Sequence, residues 1–387
     1  MQTPIPYGRQ DITAADIEAV TEVLKSDWLT QGPNIERFEK AVADYCNARF
    51  AVAVCNATAA LHLACRALGL GPGDRLWTSP NTFVASANCA LYCGAQVDFV
   101  DIDSRTYNMS VDSLAEKLER AAAEGVLPKI VIPVDFSGQS CDMRRIKQLS
   151  DEYGFKIIED ASHAVGADYW GGKVGDGRYA DVTIFSFHPV KIITTGEGGM
   201  ALTNDPDIGR RISLLRSHGI TRNPELMESE SEGAWYYQQI ELGLNYRMTD
   251  IQAAMGTSQM ARVDTFVARR RVLAQQYDEL LKGLPVVTPH QVKDGRSAWH
   301  LYVIGLVPGK TPPRHQVFDS LRASGILVNV HYIPVHLQPY YRRFGFKLGD
   351  FPVAEAYYDS AISLPLFYGL TEEAQDYVVD RLRSAVS

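Results

Sequence analysis

The sequence predicts an α/β fold, in which helices cover both faces of a mostly parallel β-sheet and a smaller α+β domain follows. From Phe50 to Phe187, short apolar segments alternate with amphipathic helical patterns, which is typical of parallel sheets. Beyond Asp250 the alternation gives way to one long helical stretch and then to shorter elements. We therefore predict a large domain over residues 1–250, with an N-terminal arm over 1–12, and a small domain over 251–387.

The chain has 387 residues, of which 46% are hydrophobic, and a formal net charge of −8. The negative charge argues against a nucleic-acid partner. No apolar run reaches the roughly 18 residues of a membrane helix, and the N-terminus lacks a signal-peptide pattern. The six cysteines lack zinc-site spacing. We expect a cytoplasmic protein that binds no nucleic acid, membrane or metal.

The first predicted element is a helix that begins after Thr13, because Thr13 and Asp16 have the spacing of a capping box. Its apolar residues recur at helical spacing and form one stripe, which consists of Ile17, Val20 and Leu24. A second helix is predicted from Ile35 to Tyr45.

The alternating region supplies the strands of the predicted sheet, at residues 50–54, 96–100, 129–134, 156–159 and 181–187. Helices are predicted at 59–68, 111–123 and 143–153, and a long helix at 251–281. Ligands of such sheets bind beyond the carboxyl ends of the strands, so functional residues are expected there.

Three strand ends carry candidate residues. Thr58 opens the helix after the first strand, where backbone amides favour an anion, although Thr58 can also be a simple helix cap. Asp160 ends another strand and fits a metal ligand, a general base, a capping residue or the partner of a protonated heterocycle. Lys191 follows the strand at 181–187 and precedes a glycine-rich turn. It is either a solvated lysine or a desolvated amine that attacks a carbonyl group.

Together these residues fit one cofactor, pyridoxal 5'-phosphate (PLP). PLP needs a lysine for its aldehyde, an anion site for its phosphate, an acid for its pyridine nitrogen and an apolar face for its ring. The chain offers Lys191, then Thr58 with Ser186, then Asp160, and finally Phe83.

Six motifs then occur in order along nearly the whole chain. They are LTQG at 29–32, NATAAL at 56–61, EDASHA at 159–164, SFHPVK at 186–191, TGEGG at 195–199 and GLNYRM at 243–248. The set resembles the DegT/DnrJ/StrS family of PLP-dependent sugar aminotransferases, which have the fold-type I, aspartate-aminotransferase-like architecture.

The resemblance implies that Lys191 binds the cofactor covalently and shuttles a proton, and that Asp160 pairs with the pyridine nitrogen. His163 takes the place of a glutamine found in many members, near the phenolic oxygen of the cofactor. Phe83 would stack on the ring. Thr58, the Ala59 amide and Ser186 would hold the phosphate, joined by Asn245 from a partner subunit, which implies a homodimer with shared active sites.

Narrower motifs resemble the subgroup that acts in pseudaminic acid biosynthesis. They are PIPYGRQ at 4–10, VDFSG at 134–138, SHAVGA at 162–167, SFH at 186–188 and RSHG at 216–219. The implied reaction moves an amino group from L-glutamate to carbon 4 of a UDP-linked 4-keto-6-deoxy-N-acetyl-hexose. The reaction yields UDP-4-amino-4,6-dideoxy-N-acetyl-β-L-altrosamine. During turnover the cofactor is also present as pyridoxamine phosphate.

Candidate residues of the sugar-nucleotide pocket are Tyr7, Arg9, His331, Tyr332 and His336, each of which also fits a packing role. Glu197 fits a turn residue and a site residue equally well. Three other functions stay open. One is amination of a different nucleotide-linked keto sugar, another is a PLP-dependent sugar dehydratase, and the last is a PLP-binding regulator. Dehydratases of this fold have histidine in place of Lys191, and the regulators have a DNA-binding extension.

Overall fold

The computed structural model describes residues 4–387, and a seven-stranded mixed sheet lies at its centre. The α-helices are α1 (Ala14–Lys25), α2 (Pro33–Cys46), α3 (Ala57–Ala67), α4 (Ala85–Tyr92), α5 (Val111–Glu124), α6 (Met143–Tyr153), α7 (Pro206–Leu215), α8 (Asp250–Met260), α9 (Val263–Leu280), α10 (Arg314–Ala323), α11 (Pro339–Arg342), α12 (Pro352–Ser360) and α13 (Glu372–Val386). The strands of the central sheet are β2 (Phe50–Val54), β3 (Arg75–Thr78), β4 (Gln96–Phe99), β5 (Ile130–Ile132), β6 (Lys156–Asp160), β9 (Val182–Ser186) and β10 (Gly199–Thr203). The other strands are β1 (Ile5–Pro6), β7 (Asp168–Tyr169), β8 (Gly172–Lys173), β11 (Ile220–Thr221), β12 (Gln238–Gln239), β13 (Val286–Val287), β14 (Gly295–Arg296), β15 (Tyr302–Leu306), β16 (Ile326–Leu327) and β17 (Ala361–Leu364).

The central sheet has the strand order β2-β10-β9-β6-β5-β3-β4. The pairs among β9, β6, β5, β3 and β4 are parallel, whereas β10 runs antiparallel to both of its neighbours. Because β9, β6, β5, β3 and β4 all run in the same direction, the carboxyl ends of β6 and β9 meet at one edge. The predicted α/β fold is confirmed, and this edge is where Asp160 and Lys191 lie.

The sheet is buried because its strands are apolar on both faces. All five residues of β9 and of β10 are buried. One apolar cluster includes Leu61 and Phe99, and a second, on the other side of β6 and β9, includes Phe38 and Phe185. Burial of this apolar area is the main force that holds the sheet between its helices.

The long helix predicted over 251–281 is two helices, α8 and α9, with a break at Ala261 and Arg262. Arg262 leaves the helical conformation, and its guanidinium binds the carboxylates of Asp11 and Asp16. Two tertiary ion pairs therefore interrupt a pattern that is continuous in the sequence.

The region after α9 contains a second, antiparallel sheet of strand order β13-β15-β17, which packs with α9, α10 and α13. The N-terminal arm crosses to this region, where β1 pairs with β16, and the amide of Leu366 donates to the carbonyl of Tyr7. The division at residue 250 stays a prediction. Within residues 4–387, no helix is both long and apolar enough to cross a membrane.

Candidate active site

A cavity of about 610 Å³ opens at the carboxyl ends of β2, β6 and β9. Its wall contains most of the residues singled out from the sequence, together with others from the N-terminal arm and from the segment after β16. The functional groups on the wall are Tyr7, Asn56, Thr58, Phe83, Asp160, Ser162, His163, Ser186, His188, Lys191, Glu197, His300, Asn329, His331 and Tyr332.

Lys191 lies in a turn between β9 and β10 that its own backbone closes, since its amide donates to the carbonyl of His188 at 2.9 Å. Burial lowers the pKa of the Lys191 amine to about 8, and the nearby Asp160 carboxylate partly offsets this effect. Within residues 4–387 the amine has no hydrogen bond or ion pair. Near pH 8 a large fraction of this cavity-facing amine is therefore neutral and can attack an aldehyde.

Asp160 ends β6 and is 5% exposed. Its Oδ2 accepts from Ser86 Oγ at 2.6 Å, and its Oδ1 accepts from Ser162 Oγ at 2.6 Å. Hydroxyl donors on both oxygens stabilise a carboxylate and fix its direction. Oδ1 also accepts from the Ser162 amide at 3.2 Å, whereas Oδ2 keeps a free lone pair, so the carboxylate can accept a further N–H group from the cavity through Oδ2.

The start of α3 forms an anion-binding corner of the cavity. The amides of Ala57 and Thr58 belong to the first turn and have no intrahelical acceptor. The Ala59 amide, predicted to bind phosphate, instead donates to Asn56 Oδ1 at 2.8 Å, and Ala59 is not part of the cavity wall. That prediction is corrected, because the helix cap takes this amide.

Two further features complete the corner. A side chain on Gly199 would lie 2.6 Å from the Ala57 nitrogen, so β10 approaches the helix start at a distance that only glycine allows. Ser186 is buried on the cavity wall, and its hydroxyl has no hydrogen bond within the described part of the chain. Free amides, two hydroxyls and the positive helix end suit a phosphate group.

His163 is buried and neutral, because burial and then the nearby Lys191 ammonium group lower its pKa well below its ordinary value. The backbone N–H of Ser137 donates to His163 Nδ1 at 3.3 Å, which leaves the ring proton on Nε2. His163 Nε2 lies 3.1 Å from Tyr332 Oη. The ring therefore presents a donor to the cavity, as the amide of glutamine would.

The structure adds His300, which the sequence did not single out. It is 3% exposed, lies on the cavity wall, and its ring centroid is 4.4 Å from that of His163. His300 comes from the segment after β14, far from the other motifs. A tertiary contact alone brings it to the site, and no sequence signal marked it.

The predicted substrate residues are only partly brought together. Tyr7 and His331 line the cavity with their rings 5.2 Å apart, and Tyr332 lies beside them. His336 does not reach the cavity, because it is fully buried and its Nε2 binds Glu355 at 2.9 Å. The sequence prediction for His336 is therefore corrected to a packing role. Arg9 is exposed and lies off the cavity wall.

Phe83 and Glu197 both lie on the cavity wall. The Phe83 ring is 59% exposed and is open to stack on a planar ligand. The Glu197 carbonyl accepts from Thr195 Oγ1 and from Gln252 Nε2, each at 2.7 Å, and fixes the turn. Asn245 is exposed and absent from this wall.

These contacts fit PLP, since the wall offers an amine, a hydrogen-bonded acid, an anion corner and an open aromatic ring. The site is that of a PLP-dependent aminotransferase. Residues 10–383 match the model of the DegT/DnrJ/EryC1/StrS aminotransferase family, and the chain belongs to this family.

Among its relatives, UDP-4-amino-4,6-dideoxy-N-acetyl-beta-L-altrosamine transaminase of Campylobacter jejuni is 37% identical over 383 residues, which cover 98% of this chain and 97% of the relative. GDP-perosamine synthase of Caulobacter vibrioides is 40% identical over 366 residues, which cover 94% and 93%.

Solved structures agree with this assignment. Helicobacter pylori PseC, an aminotransferase involved in pseudaminic acid biosynthesis, superposes with a TM-score of 0.90 at 29% identity and 99% coverage of both chains. The PLP form of Spr1654 from Streptococcus pneumoniae has a TM-score of 0.88 at 31% identity and covers 99% of this chain and 98% of its own. The enzyme is thus a sugar aminotransferase that uses PLP.

Proposed function

We propose that this enzyme transfers an amino group from L-glutamate to carbon 4 of a UDP-linked 4-keto-6-deoxy-N-acetyl-hexose and forms UDP-4-amino-4,6-dideoxy-N-acetyl-β-L-altrosamine. The observation that carries the aminotransferase chemistry is the position of Lys191 beside Asp160 in the cavity. The end-to-end similarity to the Campylobacter jejuni transaminase supports the choice of sugar.

When bound, PLP supplies an aldehyde that takes up an amino group and a ring that withdraws electrons from the adjacent carbon. Lys191 would remove the proton from the α-carbon of the amino donor and, in the second half of the reaction, would deliver to carbon 4 of the sugar a proton taken from the amine-bearing carbon of the cofactor. Its lowered pKa keeps a large fraction of the amine neutral and able to accept this proton near pH 8.

The other residues would hold and orient the cofactor and the substrate. Asp160 would accept a hydrogen bond from a protonated pyridine nitrogen and so maintain the electron-withdrawing form of the ring. His163 would turn its Nε2 proton from Tyr332 Oη towards the phenolic oxygen, and the start of α3 with Ser186 would hold the phosphate. Phe83 would pack on the ring face. Tyr7, His331 and Tyr332 line the same cavity, and we assign them to the substrate.

The runner-up is the same chemistry on another nucleotide-linked keto sugar. The similarity to GDP-perosamine synthase supports it, since that relative shares 40% identity with this chain. Overall identity therefore does not decide between uridine and guanosine nucleotides.

The test is a panel of UDP-, GDP- and dTDP-linked 4-keto-6-deoxy sugars, offered with L-glutamate and analysed by mass spectrometry and NMR. We expect amination at carbon 4 of the UDP-linked, L-arabino-configured N-acetyl sugar. Amination of the GDP sugar alone would establish the runner-up, and turnover by a Lys191→Ala variant would contradict both. The same panel is repeated with L-aspartate and with L-alanine in place of L-glutamate, and this comparison tests the identity of the amino donor.

A further inference from the structure

A buried acid that the mechanism does not use lies directly behind the active site. Asp135 follows β5 and is fully buried. Its Oδ1 accepts from the amide of Cys141 at 2.9 Å, whereas its Oδ2 is buried without a hydrogen-bond partner within residues 4–387. Burying an ionised carboxylate whose oxygen accepts no hydrogen bond costs free energy, so protonation of the Asp135 carboxyl group is favoured.

The carboxyl group of Glu159, on the adjacent strand β6 and 6% exposed, neighbours that of Asp135. The two carboxyls are close enough to share a hydrogen bond, and Glu159 also accepts from Thr183 Oγ1 at 2.9 Å. Two acids in contact away from water hold one proton between them. Since Glu159 already has a hydroxyl donor and Asp135 has a bare oxygen, the proton belongs on Asp135.

The surrounding charges agree with this placement. Asp135 also interacts electrostatically with Asp160 and with the Cys141 thiol, and Glu159 interacts electrostatically with Asp176. Burial and the charge of Glu159 raise the pKa of Asp135 well above its ordinary value, and burial raises the pKa of Glu159 to about 7. Near pH 8 the pair therefore carries a single negative charge, on Glu159.

The loop from Asp135 to Cys141 connects this pair to the active site. The Asp135 amide donates to the carbonyl of Asp160 at 3.1 Å. Two residues later, Ser137 adopts a φ of 60° and gives its amide to His163 Nδ1. The Ser137 carbonyl accepts from the amide of His300 at 2.9 Å. The loop thus sets both imidazoles of the cavity, and the Asp135 carboxyl closes it onto Cys141.

We propose that Asp135 is a positioning residue that is protonated in the working enzyme, donates its proton to Glu159, and anchors the loop that fixes the ring orientation of His163. The inference rests on PLP-dependent activity at this site and does not depend on the identity of the sugar.

Three variants of the holoenzyme test it: Asp135→Asn, Asp135→Ala and Glu159→Gln. Asparagine keeps both contacts, since its amide NH₂ donates to Glu159 and its oxygen accepts from Cys141. Alanine removes both. We expect Asp135→Ala to shift the pH at which the visible absorption of the bound cofactor changes and to weaken cofactor binding several-fold, and we expect Asp135→Asn to restore both.

The position of the proton is read separately, by infrared difference spectroscopy near pH 8. The carbonyl stretch of a protonated carboxyl group should disappear in Asp135→Asn and persist in Glu159→Gln. The opposite pattern overturns the proposal, and so does an Asp135→Asn enzyme whose cofactor behaves as it does in Asp135→Ala. Should Asp135→Ala fail to fold, the infrared comparison of the other two variants still decides. Failure of the sugar panel in wild-type enzyme would reject the proposed substrate and leave these results unaffected.

Discussion

At the scale of single residues, the charge state of Lys191 controls the enzyme's ability to take up its cofactor. Burial lowers the pKa of the amine to about 8, so the neutral, reactive form grows as the pH rises towards 8 and saturates above it. We expect the rate at which apoenzyme binds PLP covalently to rise about tenfold per pH unit below 8 and then to level off. Visible absorption after rapid mixing measures this rate.

The matched control for this rate is Lys191→Arg, which keeps a positive charge but forms no bond with the aldehyde. It should show no absorption change of this kind at any pH. A wild-type midpoint near 10.4, the value of a solvated lysine, would contradict the desolvated amine.

His163 offers a second prediction at this scale, because the proton on Nε2 makes its ring a donor. His163→Gln supplies an N–H group at a similar position, whereas His163→Leu supplies none. Loss of one hydrogen bond costs about 1 kcal/mol, so we expect Leu to lower kcat/KM about fivefold to tenfold and Gln to retain most of it. Steady-state kinetics on both variants measure kcat/KM and test this expectation. Equal losses in the two variants would mean that ring shape, and not donation, is what the site uses.

Residues at strand ends were predictable from the sequence, whereas His300, which packing brings to the site, was not. Lys191 and Asp160 follow apolar strands of one parallel sheet, so their meeting follows from topology. His300 reaches the cavity through contacts between distant segments, which no local pattern encodes. His336 shows the reverse error, because a histidine beside aromatic residues looks the same in sequence whether it faces a ligand or, as here, Glu355.

At the scale of elements, the phosphate corner depends on how closely β10 approaches the start of α3. A Cβ on Gly199 would lie 2.5 Å from the Asn56 carbonyl carbon and 2.6 Å from the Ala57 nitrogen, both backbone atoms that cannot rotate away. We therefore expect Gly199→Ala to displace the helix start and to raise the dissociation constant of PLP at least tenfold. Equilibrium dialysis or absorption titration measures it.

The control for this prediction is Gly71→Ala. No atom lies within 4 Å of the Cβ that this substitution adds, so PLP binding should stay at the wild-type level. A Gly199→Ala enzyme that binds PLP normally would show that the corner adapts and does not depend on this close approach.

Many of the elements were predictable, but strands β3 and β10 of the central sheet were not predicted. The predicted strand at 50–54 and the predicted helix at 143–153 match β2 and α6. In both, the spacing of the apolar residues and the position of the turn residues predict the same element. Strand β10 begins at Gly199, the last residue of the glycine-rich run after Lys191 that was predicted to be a turn. Glycine at the first strand position is required by the phosphate corner and hides the strand from a propensity argument.

At the scale of the whole molecule, several large apolar side chains of α1 and of the segment after it are exposed. The stripe predicted on α1 exists but faces outward, with Ile17 61% and Leu24 57% exposed, and Trp28 nearby is 56% exposed. Large apolar residues grouped on a surface mark an interaction site. Together with the exposed Asn245, this surface supports the homodimer that the family resemblance implies.

A hybrid dimer tests whether the two subunits share their sites. We expect Asn245 to complete the phosphate corner of the partner, so Asn245→Asp should place a negative charge beside the phosphate and release PLP. Mixing this variant with Lys191→Ala creates dimers in which one subunit has Lys191 and the other has Asn245. If Asn245 acts across the interface, one of the two sites in each hybrid is intact. Activity should therefore return on mixing two variants that are inactive alone. If Asn245 served its own chain, every site in the hybrid would lack one of the two residues, and mixing would restore nothing.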